Sequence, residues 1–144
     1  MGMYTEILLT CDLVEDTRKD IVNWLSAMID YNSILEDVGE KAPNEMTSTR
    51  FRNGLLGGSY YFYGQPMMEF DYDDISKTHH LTVLTNIKNY ENDIERFINM
   101  LTPYIKAWEG DMLGYVRYEE DRLPTVMMWN GNEIEYIKCA GEQK

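Results

Sequence analysis

The chain has 144 residues, 44% of them hydrophobic and 26% charged, and a net charge of −12. That length fits one domain, residues 1–144, large enough to bury a core without metal or disulfide. The charge argues against nonspecific nucleic-acid binding and adhesion to anionic membranes, because both surfaces repel the domain as a whole, and it favours a basic partner if there is one.

Met3 to Leu13 alternates, with Thr5, Ile7, Leu9, Cys11 and Leu13 on one side and Tyr4, Glu6, Leu8, Thr10 and Asp12 on the other. Period two predicts a half-buried strand with Cys11 on its core face. The chain runs straight into this strand, with no basic stretch leading into an apolar one, so no signal peptide is expected. The spacing of Ile21, Val22, Trp24, Leu25, Met28 and Ile29 then predicts a helix over 17–30, capped by Asp16-Thr17.

Residues 31–58 are rich in glycine and polar groups. Ile34, Leu35 and Val38 suggest a short helix, and Thr47 to Leu56 a short strand anchored by Phe51 and Leu55. Arg50 and Arg52 stand out in so acidic a chain. If extended, they project from one face, where they clamp an anion or pair with acidic clusters.

Ser59 to Asp74 is the richest aromatic run. It reads as two strands joined at Gly64-Gln65-Pro66 and ending in Asp71, Asp73 and Asp74. Tyr60 and Phe62 share one face, and Tyr61 and Tyr63 the other. Met67, Glu69 and Asp71 oppose Met68, Phe70 and Tyr72 in the same way. A turn over 73–77 leads into a strand over 78–88. Asn89 is the expected N-cap of a second helix, whose stripe is Tyr90, Ile94, Phe97, Ile98, Leu101 and Ile105. Pro103 ends or kinks it.

Trp108-Glu109-Gly110 reads as a loop, and the remainder is strand. Met112, Gly114, Val116 and Tyr118 alternate with Leu113, Tyr115, Arg117 and Glu119. A strand over 123–129 begins at Pro124, and Asn130-Gly131 predicts a two-residue type I′ hairpin. The order predicts an α+β domain: an antiparallel sheet with two helices on one face, ferredoxin-like in outline, with an extra C-terminal hairpin.

Chemistry finds little support. His79 and His80 are neighbours on a strand and point to opposite faces, so they cannot share a metal ion. The Asp71, Asp73, Asp74 cluster lacks the glycine and terminal glutamate of a calcium loop. Gly54-Leu55-Leu56-Gly57-Gly58 lacks the Lys-Ser/Thr of a phosphate loop. No nucleophile has a supporting base nearby in sequence. No metal, cofactor or catalytic residue is expected, and Cys11 and Cys139 are expected as free thiols in the cytoplasm.

Surface recognition is what is left. With helices on one side only, the second sheet face carries Tyr4, Leu8, Tyr115, Arg117 and one face of the aromatic hairpin. Such a surface takes a partner: a second copy, the irregular insert or another protein. Tyr61, Tyr63, Asp71, Asp73, Asp74, Arg50, Arg52, Tyr115 and Arg117 are the candidate binding residues. The first reading is a non-catalytic binding protein that engages a basic protein surface, as an immunity protein or a phage anti-defence inhibitor does. The alternative is a protein or enzyme binding an anionic or nucleotide ligand on the open face. There Arg50, Arg52 or Arg117 would hold the anion, and Tyr60, Tyr115 or Trp129 would stack on a ring. A structural dimer is the third.

Met3-Tyr4-Thr5-Glu6, Ser59-Tyr60-Tyr61-Phe62 and Gly114-Tyr115-Val116-Arg117-Tyr118-Glu119-Glu120 together resemble stretches of small uncharacterised acidic proteins of bacteria and their phages. The resemblance implies a ferredoxin-like α+β domain and a phage- or defence-associated role, and brings no catalytic residue.

Overall fold

β1 (Tyr4–Val14) lies inside the sheet and organises the rest. Its residues Ile7, Leu9, Cys11 and Leu13 are buried, while Leu8, Thr10 and Asp12 on the other side are half-buried. This is the alternation the sequence predicts. The computed structural model describes residues 4–30, 35–55, 66–89 and 91–139. Within them the elements are β1, α1 (Lys19–Met28), α2 (Leu35–Glu40), β2 (Met67–Asp73), β3 (Thr78–Lys88), α3 (Asp93–Leu101), β4 (Ile105–Lys106), β5 (Met112–Tyr118), β6 (Thr125–Trp129) and β7 (Ile134–Lys138).

The strands form one seven-stranded antiparallel sheet in the order β2-β3-β1-β5-β6-β7, with β4 pairing beside β1 off this path. The fold is α+β. β1 pairs with β3 along its whole length, from Tyr4 opposite Lys88 to Val14 opposite Thr78. A single core joins the buried face of β1 and β3 to Ile21, Trp24 and Leu25 of α1 and to Ile94, Phe97, Ile98 and Leu101 of α3. The rings of Trp24 and Phe97 meet edge to face at 6.3 Å.

Several local expectations change. α1 begins at Lys19, with Arg18 at the N-cap position and no side-chain cap. Thr17 instead turns back, its hydroxyl donating to the Val14 carbonyl at 2.6 Å. Arg18 forks between Asp20 and Glu45, at 2.7 and 2.6 Å, and so ties the helix start to the insert. The N-cap of α3 is Asn92, in the left-handed region, and not Asn89 as expected; Asn89 still reaches the first turn from before the cap, its Oδ1 accepting the Ile94 N–H at 2.8 Å. α3 stops at Leu101, and Pro103 falls in a single 3₁₀ turn, Thr102–Tyr104.

The short helix of the insert is present as α2. The strand expected over Thr47 to Leu56 is not: residues 47–53 form successive turns after a 3₁₀ turn at Asn44–Met46. Phe51 and Leu55 still anchor it, both buried in the core. Phe51 packs on Phe97 at 5.6 Å, and Arg96 donates to the Glu45 carbonyl and the Ser48 hydroxyl. Residues 35–55 therefore fold onto the helices, not across the second sheet face as one sequence reading allowed. The first strand of the aromatic hairpin, with Tyr60, Tyr61, Phe62 and Tyr63, lies outside the described residues.

β5 carries a bulge between Met112 and Gly114. Successive residues Leu113 and Gly114 are both buried, so the simple alternation fails there. Gly114 has φ +148°, and a Cβ on it would strike the Leu8 carbonyl of β1. The hairpin after β6 is also longer than two residues. Trp129 pairs with Ile134, and Asn130 Oδ1 accepts the N–H groups of Asn132 and Glu133 at 2.9 Å. Only Gly131 of the pair has positive φ, so no type I′ turn forms.

Candidate functional site

Cross-strand register places side chains of paired residues on the same side of a sheet. Following the register from edge to edge on the face opposite the core, one row reads Met67, Leu84, Leu8, Tyr115, Val126, Ile137. One residue from each of six strands contributes to an unbroken apolar stripe. Leu84, Leu8, Tyr115 and Val126 are half-buried, and Met67 and Ile137 at the two edges are exposed. Alternation in β1, β3 and β6 produces this stripe as directly as it produces the core, because each strand also places an apolar residue outward.

Polar rows flank the stripe. On one side stand Asn86, Glu6 and Arg117. Glu6 is only 7% exposed, and it is held by its neighbours: the Tyr115 hydroxyl donates to Glu6 Oε1 at 3.0 Å, and Arg117 Nε lies 4.0 Å from the same oxygen. Arg117 also donates to the Asp121 carbonyl at 3.1 Å. Burial, reinforced by the hydrogen bond and negative charge of Glu6, pushes the Tyr115 phenol up to about 12. Tyr115 and Arg117 are thus brought together, as expected, around a carboxylate that sequence reading left unmarked.

On the other side run Glu69, Thr82 and Thr10, then Asp71, His80, Asp12 and Lys106. His80 Nδ1 lies 2.9 Å from Asp12 Oδ1, and Thr82 bridges His80 Nε2 and the Thr10 hydroxyl at 3.1 and 3.0 Å. Asp71 is exposed on this face, beside His80. Asp73 braces its own turn. Its Oδ1 accepts the N–H groups of Ile75 and Ser76, which holds its carboxyl below the usual carboxylate range. Asp74 is exposed in the same turn.

At the end of this last row a groove of about 330 Å³ opens, lined by Asp12, Ser76, Thr78, Lys106, Ala107, Trp108 and Asp111. Trp108 at its wall is 83% exposed, and Ile75 in the adjoining turn is 90% exposed. Sequence reading treated both positions as plain loop. A signal was present, since Trp108 stands between a proline-ended helix and Glu-Gly-Asp, away from any apolar period that would bury it.

The three arginines do not converge. Arg50 lines a cleft of about 270 Å³ at the opposite end of β1, with Tyr4, Asn86 and Lys88. Its backbone N–H donates to buried Asp93 at 3.0 Å. Arg52 is turned toward the insert, donating to the Gly39 carbonyl at 3.1 Å, and its own carbonyl accepts the Trp24 indole N–H. Both lie in turns, so the same-face geometry that an extended segment would give does not arise. Trp129, considered as a stacking residue on the open face, is buried in the core instead. Tyr61 and Tyr63 lie outside the described residues. No cluster of three or more metal-ligating side chains occurs among the described residues, and no helix there is long and apolar enough to cross a membrane.

Comparison with protein-family models, curated proteins and solved structures gives no match.

Proposed function

We propose that this chain is a non-catalytic binding protein whose open sheet face engages a basic protein surface, in the manner of an immunity protein or a phage anti-defence inhibitor. The observation that carries this reading is the apolar row from Met67 to Ile137, bordered on one flank by Glu69, Asp71 and Asp12. An apolar centre with a charged rim is the anatomy of a protein interface. Five of the nine residues singled out from sequence, Asp71, Asp73, Asp74, Tyr115 and Arg117, fall on this face or its adjoining turn. A second copy is the poorer occupant, since it sets these acids against each other across the contact.

The scaffold we favour is ferredoxin-like, with both helices on one face and the β6–β7 hairpin added beyond β5. The order β2-β3-β1-β5, with α1 before β2 and α3 before β5, supports it. So does the single core that α1 and α3 share with one side of β1. A cytoplasmic setting suits the free thiols Cys11 and Cys139.

The test is purification of the native complex from the host, identification of the partner by mass, and association kinetics at rising salt. Association is expected to slow as salt rises, and Glu69→Lys with Asp71→Lys to slow it about tenfold. Salt-independent association would remove the electrostatic half of the reading. The cleft holding Arg50, Lys88 and Asn86 supports a second reading, an anionic small ligand. A thermal shift with nucleotides that Lys88→Gln abolishes would favour it over the first.

A further inference from the structure

Two large apolar side chains stand almost fully in water at one end of the open face, and each is held there by the same device. Asp111 Oδ2 accepts the N–H of Trp108 at 2.9 Å, and Asp73 Oδ1 accepts the N–H of Ile75 at 2.9 Å. The Trp108 turn is fastened further. Asp111 N–H donates to the Trp108 carbonyl at 2.9 Å, Gly110 N–H to the Trp129 carbonyl at 2.7 Å, and Trp129 N–H back to the Asp111 carbonyl at 2.8 Å. The Ile75 turn closes through Lys77 N–H on the Asp73 carbonyl at 2.8 Å, with Lys77 left-handed at φ 60°. The backbone of both turns is fixed before any partner arrives, which lowers the ordering cost of binding.

Trp108 lines the groove, as does Ser76, the residue after Ile75, together with Thr78 and Asp12 of the open face. Two carboxylates, Asp12 and Asp111, face one ammonium, Lys106, in its lining. Asp73, Asp74 and Glu109 in the two turns outnumber Lys77. Tryptophan is the residue type most enriched among interface hot spots, and a surface ring of acids selects a cationic counterpart.

We propose that Trp108 and Ile75 are the anchor points of the interface, and that the groove lined by Trp108 and adjoined by the Ile75 turn takes a segment of another protein in which an apolar side chain is flanked by lysine or arginine. This rests on the binding-protein reading above and names its anchor. A second copy of this chain brings the same acids and is the poorer occupant on charge.

The test uses the full chain and a random 12-residue peptide library displayed on phage, selected on the immobilised protein, with one enriched peptide synthesised as the probe. Trp24 and Trp129 are buried, so acrylamide-quenchable emission reports Trp108. The selected peptides are expected to place Lys or Arg beside Leu, Ile or Phe. The probe is expected to shift the emission to the blue, to protect it from acrylamide and to bind more weakly as salt rises. Trp108→Ala should weaken the probe about thirtyfold, and Ile75→Ser several-fold, with the thermal midpoint unchanged.

The variant pair Leu84→Lys and Val126→Lys separates the two levels of the proposal. If that pair abolishes binding of a basic probe while Trp108→Ala leaves it intact, the anchor is wrong and the open-face reading stands. If enriched peptides lack basic residues, or both sets of variants bind as wild type, the open-face reading falls with it. A selection that enriches nothing overturns the groove as a peptide site.

Discussion

Gly114→Ala is expected to be among the most destabilising single-methyl changes in this chain. The added Cβ meets β1 backbone: it strikes the Leu8 carbonyl oxygen, lies 2.7 Å from its carbon and 3.2 Å from Leu9 Cα. No rotamer relieves a contact between a Cβ and a neighbouring main chain, so the two strands must separate or the bulge must move. The positive φ of +148° adds strain for any L side chain. Strain of about 1–3 kcal/mol and overpacking of similar size together give roughly 2–6 kcal/mol. In a domain whose total stability is about 5–15 kcal/mol, that lowers the thermal midpoint by roughly 10 °C or more. Gly110→Ala is the internal control, because Gly110 has φ +96° and nothing within 4 Å of the new methyl. It should show the strain alone, about 1–2 kcal/mol. Urea unfolding of both variants, followed by circular dichroism, measures the difference. Equal losses in the two variants would refute the argument, since they would mean that contact with β1 contributes nothing.

Three further outcomes follow from groups already placed. Tyr115, raised to about 12, should ionise well above an ordinary tyrosine in a 295 nm titration, and Tyr115→Phe should shrink the late step that it shares with Tyr72 and Tyr136, both also raised to about 12. Because the folded value lies above the unfolded value of about 10, the stability it contributes is complete below pH ~10 and is lost progressively toward pH ~12. Burial raises the Cys11 thiol to about 12 and closes it off from solvent, whereas Cys139 is half-exposed. One thiol per chain should therefore react promptly with a disulfide reagent and the second only on unfolding. Prompt reaction of both in the native protein would contradict the placement of Cys11 in the core.

Elements whose burial follows a simple period were legible in the sequence. β1 and β3 alternate because each has one face in the core, and the α3 stripe repeats at helical spacing for the same reason. The failures share a different cause. β4 is two residues long and exists because Asp12 and Leu13 offer an edge to Lys106 and Ile105, a tertiary event without a local pattern. The bulge at Leu113 breaks period two by inserting one residue, which alternation alone cannot register. Asn130-Gly131 was read through its commonest hairpin, but Asn130 spends its side chain on the amides of Asn132 and Glu133 and so stabilises a wider loop. Arg50 and Arg52 would share a face only if extended, and their segment proved to be turns. The candidate site was half legible: Tyr115 and Arg117 were marked by type and face, and Asp71 by type. Trp108 and Glu6 depend on which groups the fold leaves in water or removes from it.

The position of β1 has a consequence for how the molecule is made. It is synthesised before every strand it pairs with, yet Tyr4 must find Lys88 and Thr5 must find Tyr118. Until β5 has left the ribosome, the strand that will occupy the middle of the sheet has an unsatisfied backbone edge. At about 5–20 residues per second, that leaves several seconds of exposure during each round of translation. Such long-range pairing slows folding, because loop closure must precede the contacts that reward it. Glu6, Thr10 and Asp12 of β1 lie on its outward side during that interval. Their charge and polarity keep a waiting strand soluble, and replacing them with apolar residues would be felt first as loss of yield, not of native stability.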